Sequence, residues 1–159
     1  MSLNDWILAL HLLGAFAVMG AIAFFGVLIV AGYRANRPSA VLATTRLVRV
    51  PTVMVIAGMV ATLVFGIWLA ISLDAYHPWD GWIIAAIVLW AISGGTGARG
   101  GNAYARAEKR ARELLDAGDD EPSPELVSLM QDRTTLTLNT ISTVAAFLML
   151  LDMIWKPGA

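Results

Sequence analysis

Four stretches of this chain are apolar over lengths beyond an ordinary strand. They run from about Trp6 to Tyr33, about Thr52 to Leu73, about Gly81 to Gly97, and about Thr134 to Trp155. A hydrocarbon core of about 30 Å needs about 20 apolar residues at a helical rise of about 1.5 Å each. The period-2 alternation of membrane barrel strands is absent from all four. Away from water such runs satisfy their own backbone only as helices. The pattern therefore predicts an all-α protein, a transmembrane up-down four-helix bundle forming a single domain over residues 1–159.

The polar stretches refine this picture. Asn102 to Asp116 is rich in Ala, Arg, Glu and Lys, so the third helix is expected to outrun the apolar region. Gly118 supplies a stop, Asp119-Asp120-Glu121-Pro122 reads as a turn, and Ser123-Pro124 reads as an N-cap followed by proline at the first helical position. A helix starting there is expected to run unbroken into the fourth span. Helices 3 and 4 would then extend as a cytoplasmic hairpin over about residues 98–133, reaching roughly 20–25 Å past the bilayer. Its basic arm is Arg106 to Arg112 and its acidic arm Asp116 to Glu125. Two readings follow: a solvated charged hairpin, or a docking surface for a soluble partner or anionic lipid.

Charge sets the orientation. Arg34, Arg37, Arg46 and Arg49 lie between the first two spans, and Arg99, Arg106, Lys109, Arg110, Arg112 and Arg133 lie between the last two. Ten of the eleven basic residues thus fall on one side, and only Lys156 on the other, which carries Asp5, Asp74, Asp80 and Asp152. Basic residues concentrate in cytoplasmic loops, so both termini and the loop around Tyr76-His77-Pro78 are expected outside. Trp6, Trp79, Trp82 and Trp155 all fall at that outer edge, as an interfacial belt would.

Composition agrees: 58% of residues are hydrophobic and 14% charged, far more apolar than a soluble chain of 159 residues. The N-terminus lacks a basic n-region and its apolar run is too long for a signal peptide, so the first helix is expected to be retained. No cysteine is present, which excludes disulfides, thiolate ligands and cysteine nucleophiles.

Small residues mark the expected seams. Gly58, Thr62 and Gly66 form a stripe at spacing four, and Gly14, Ala17 and Ala21 offer a comparable face on the first helix. Gly94-Gly95-Thr96-Gly97 and Gly100-Gly101 superficially look like a phosphate loop, but no strand precedes them and no Gly-Lys-Ser/Thr follows, so they read as packing positions. On the fourth helix Asn139, Thr135 and Ser142 are read either as interhelical hydrogen-bonding positions or as the lining of a polar cavity.

An ionisable group inside a membrane is costly, so each one is a candidate site. His11 lies roughly 7–8 Å below the outer interface and shares a face with Gly14, Ala15 and Val18. Haem or metal ligation, proton relay, or a plain interhelical hydrogen bond are its options. Asp152 stands near the same level, as a second-shell partner for His11 or as an exposed i,i+4 pair with Lys156. His77, in the outer loop, could join His11 on one cofactor only if that loop folds back over the bundle mouth. Met54, Met59, Met149 and Met153 are soft donors for copper or haem, or packing residues. No serine–histidine–carboxylate set, no paired intramembrane carboxylates and no His-x-x-x-His pair is present, so catalysis by side chains alone is not expected.

The run Leu10-His11-Leu12-Leu13-Gly14-Ala15, then Gly20 and an apolar stretch to Tyr33-Arg34, resembles the first helix of small bacterial four-helix membrane proteins grouped as a domain of unknown function. Gly66-Ile67-Trp68-Leu69 and the ending Met153-Ile154-Trp155-Lys156-Pro157-Gly158 are similar to that family too. These proteins are loosely akin to the copper-resistance D type and to the haem-pathway J type of protoporphyrinogen oxidase. The resemblance implies a bacterial plasma (inner) membrane location and puts weight on His11. In the haem-pathway type a membrane histidine and a lysine are implicated with haem; no lysine lies within any span here.

Three functional classes remain at this stage. One binds haem b or copper in an outer-leaflet pocket around His11. Another is a non-enzymatic accessory or assembly subunit that meets a second copy or a membrane-complex partner. The third, a small-solute transporter, would need an inverted repeat or broken helix that the sequence does not show. The lipid bilayer is the expected environment, and nothing points to nucleic acid.

Overall fold

The computed structural model describes residues 2–73, 77 and 79–157. Asp74, Tyr76, Pro78 and Gly158, named above, lie outside the described residues. All regular structure among the described residues is helical: α1 (Leu3–Arg34), α2 (Pro38–Leu47), α3 (Arg49–Ser72), α4 (Gly81–Asp116), α5 (Pro124–Met130) and α6 (Arg133–Trp155). Four helical runs are long and apolar enough to cross a membrane: Leu3–Arg34, Pro38–Ser72, Gly81–Asp116 and Pro124–Trp155. Their outward surface is apolar, with Leu13, Phe16, Val53 and Ile71 exposed, as lipid-facing side chains are.

Two connections differ from the sequence reading. The segment between the first two spans is not merely a loop, because Pro38 opens α2 at a first-turn position where its missing N–H is harmless. Pro51 then lies in the first turn of α3, where a proline cannot donate back to the Leu47 carbonyl, and the chain breaks between α2 and α3 at Val48. The fourth span is not entered by one unbroken helix either. The Ser123 hydroxyl caps α5 as expected, but α5 ends at Met130. Asp132 then restarts the helix, its carboxylate accepting from the Thr135 N–H at 2.7 Å. By contrast α4 runs straight through its glycines and stops at Gly118, with φ of 78°. There the Gly118 N–H reaches the Leu115 carbonyl and the Asp119 N–H that of Leu114, the two bonds of a Schellman motif.

The bundle is assembled from two antiparallel pairs, α1 with α3 and α4 with α6, which meet each other far less extensively. Lipid provides no hydrophobic drive for helix pairing, so each pair relies on close approach and hydrogen bonds. In the first pair a Cβ added at Gly58 would stand 2.7 Å from the Gly14 carbonyl oxygen, so the two backbones touch. In the second, Ser93 and Ser142 each donate to the other's backbone carbonyl, at 3.0 and 2.8 Å. Gly97 and Gly100 give way to Ser142 and Asn139 respectively, which makes this part of the glycine run a packing surface.

The end bearing most of the basic residues is closed. Ala35, Val41, Tyr104, Ala107, Ala111, Leu126 and Met130 form a core beneath α2, α5 and the far part of α4. The Ser123 N–H donates to the Asn36 carbonyl at 2.8 Å, and Asp120 accepts from both the N–H and the hydroxyl of Ser39. The opposite end, where α1 begins and α6 finishes, holds a cavity between the two pairs.

Candidate functional site, a cavity around His11

The cavity occupies about 410 Å³, within the usual range for small-ligand sites. All four long helices line it, from Val18, Met19, Trp90 and Ala146 at its floor to Asn4, Asp5, Leu73 and Lys156 at its mouth. Its walls are almost entirely hydrocarbon and indole. Two features of α1 bring His11 there: the residue shares the inward stripe of Gly14 and Val18, and that stripe packs on the small-residue face of α3.

One edge of the imidazole lies on Gly66, where a Cβ would meet Cε1 at 3.0 Å and Nδ1 at 3.1 Å. Nδ1 is 3.0 Å from the Thr62 carbonyl oxygen. A carbonyl only accepts, so Nδ1 carries the proton and the neutral ring keeps its lone pair on Nε2. Nε2 sits on the ring edge away from that bond. Ligating histidines are commonly arranged this way, one nitrogen donating to a carbonyl and the other free for the ligand.

The other residues singled out by sequence are dispersed. Asp152 makes no hydrogen bond to His11 among the described residues; the Thr62 carbonyl takes the place proposed for it. Its Oδ2 is buried without a hydrogen-bond partner among them. The Lys156 N–H donates to the Asp152 carbonyl at 2.8 Å. The Lys156 ammonium lies 5.5 Å from the Trp82 ring centre. His77 is exposed, stacks on Trp79 with ring centres 5.4 Å apart, and does not line the cavity. Asn139, Thr135 and Ser142 do not line it either. Ser142 bonds to Ser93, Thr135 closes the cap of α6, and Asn139 fits against Gly100 beside Tyr104.

The methionines divide in two. Met54 and Met59 pack beside Gly20 and Gly94, whereas Met149 and Met153 line the cavity. The tryptophans divide as well. Trp6, Trp79 and Trp155 are 57%, 72% and 74% exposed, but Trp82 is 7% exposed and turned inward, so it leaves the expected belt and becomes cavity wall. Sequence alone did not single out Trp90, whose indole N–H donates to the Met59 carbonyl at 3.0 Å on the cavity floor. Its position in mid-span, away from either interface, was the available signal.

A family model described as a predicted integral membrane protein (DUF2269) matches residues 5–157. The chain belongs to this family. No curated protein and no solved structure matches it. Membership covers all four apolar helices, and the matched stretch includes every residue of the cavity except Asn4.

Proposed function

We propose that this integral membrane protein holds haem b in the half of the bundle nearest its termini, with Nε2 of His11 as the iron's ligand. The observation that carries the reading is the Nδ1 bond to the Thr62 carbonyl, which leaves Nε2 as the basic nitrogen of a ring lining an apolar cavity. A bare copper ion fits the donor set less well. No group of three or more His, Asp or Glu gathers among the described residues, while haem brings four nitrogens and asks the protein for one or two more. Once bound, haem supplies one-electron redox chemistry. This chain's own residues would fix the ring through Thr62 and Gly66 and keep water from the buried face through Trp82, Trp90 and the aliphatic walls.

The basic residues favour an orientation with both termini outside and the closed end in the cytoplasm of a bacterial inner membrane. An accessory role has separate support from that closed end. It has a core of its own, and Arg110 bridges Glu113 and Glu125, so it offers a preformed surface to a partner.

The test is an absorption spectrum and metal assay on detergent-purified protein from haem-supplemented cells, repeated for His11→Ala. A Soret band at one haem per chain, lost in the variant, is expected. A colourless wild-type protein that takes up no added haem would remove the cofactor reading and leave the accessory one.

A further inference from the structure

Resting on the haem reading above, a second donor can be located by following the registers of the helices across the cavity. Met59 on α3 is level with Trp90 and Gly94 on α4, since its carbonyl accepts from the Trp90 indole and its methyl group fills the space beside Gly94. Ser93 on α4 is level with Ser142 on α6 through their reciprocal hydrogen bonds. Met59 and Ser142 therefore stand at one height. From there α3 and α6 run in the same direction, toward the chain termini.

The His11 ring sits against Thr62 and Gly66, three to seven residues beyond Met59. The same step from Ser142 covers Ala145 to Met149. Within that window only Ala146 and Met149 line the cavity, and only Met149 carries a donor atom. Met149 is thus level with Gly66, on whose surface the imidazole lies, and it belongs to the opposite helix pair. Met153 lies one turn nearer the mouth, about 6 Å away along the axis.

We infer that the Met149 thioether would be the second protein ligand of the haem iron, offered from the α4–α6 pair as the His11 imidazole is from the α1–α3 pair. Such a ligand pair would join the two weakly connected helix pairs through one bound group. A thioether paired with an imidazole would also raise the reduction potential of the bound haem.

The experiment uses the full-length protein loaded with haem, as wild type, Met149→Leu and Met153→Leu, leucine conserving the volume at each position. Spin state by electron paramagnetic resonance, the near-infrared sulfur-to-iron band and the reduction potential are read together. Wild type is expected to be low-spin with the sulfur band. Met149→Leu should keep one haem per chain yet become predominantly high-spin, lose the band and show a lower potential. Met153→Leu should retain the low-spin state and the sulfur band. A high-spin wild type, or a Met149→Leu spectrum unchanged from wild type, overturns the Met149 assignment while leaving His11 ligation intact. A switch produced by Met153→Leu instead also overturns it. Failure of the wild type to bind haem removes both readings together.

Discussion

At the scale of single residues, two contacts make sharp predictions. Gly66 is the surface on which the His11 ring rests, and a methyl group there would stand 3.0 Å from Cε1. Gly66→Ala should push the ring off the Thr62 carbonyl and, if the proposed haem site holds, weaken haem binding about tenfold, equivalent to about 1.4 kcal/mol, with helicity unchanged. Haem titration alongside circular dichroism measures both, and unaltered affinity would show that ring placement does not limit binding. The second contact is at the other end. The Ser39 backbone N–H and hydroxyl bind the Asp120 carboxylate and, with Arg37 nearby, hold its pKa below the ordinary aspartate range. A group with a depressed folded pKa stabilises fully above its unfolded value, about 3.9, and loses that contribution as pH falls through the folded value. Protection of the Ser39 amide from hydrogen exchange should hold at about pH 5 and fall progressively below about pH 4. Asp120→Asn should abolish the step, and constant protection down to acid would show that the Asp120 carboxylate does not hold this amide.

Elements are held together by two different devices, and each can be removed separately. The α1–α3 pair depends on direct backbone contact at Gly14 and Gly58. Gly58→Val should therefore force the pair apart at a cost of about 1–3 kcal/mol or more, as overpacking does. The α4–α6 pair depends on the Ser93–Ser142 exchange of hydrogen bonds. Ser142→Ala removes one of these and should cost about 0.6 kcal/mol and no more than about 1.7, the mean and maximum for interhelical hydrogen bonds in a membrane protein. Unfolding in mixed micelles would rank the two, with Gly58→Val expected to be the more damaging. The reverse order would mean that hydrogen bonds, rather than backbone approach, dominate this bundle. The same comparison shows why the breaks at Val48 and Asp132 were not legible. Pro51 by itself fits equally the first turn of a new helix or a kink in a continuous one, Asp132 by itself fits a cap or a mid-helix position, and the choice at each shows only in the packed structure.

For the whole molecule the first question is orientation. The chain has no cysteine, so Ser2→Cys and Arg112→Cys each give a single reactive thiol. Ser2→Cys should label with an impermeant maleimide on intact cells and Arg112→Cys only after permeabilisation; the opposite pattern would invert the topology argued from charge. The four apolar runs, their helical state, the stop at Gly118 and the cap at Ser123 were all readable from sequence, because length in hydrocarbon and local turn chemistry depend on nearest neighbours alone. The inward face of His11 was readable for the same reason, as a matter of helical period. Pairing was not. Which helix meets which depends on how closely two backbones approach, and that is decided by side chains distant in the chain, such as Gly14 against Gly58 and Ser93 against Ser142. The tertiary structure alone therefore opened a cavity between two helix pairs and turned Trp82 and Met149 into it. It also gave the His11 proton to the Thr62 carbonyl rather than to Asp152, since a backbone acceptor 51 residues away in the chain leaves no mark in the residues around His11.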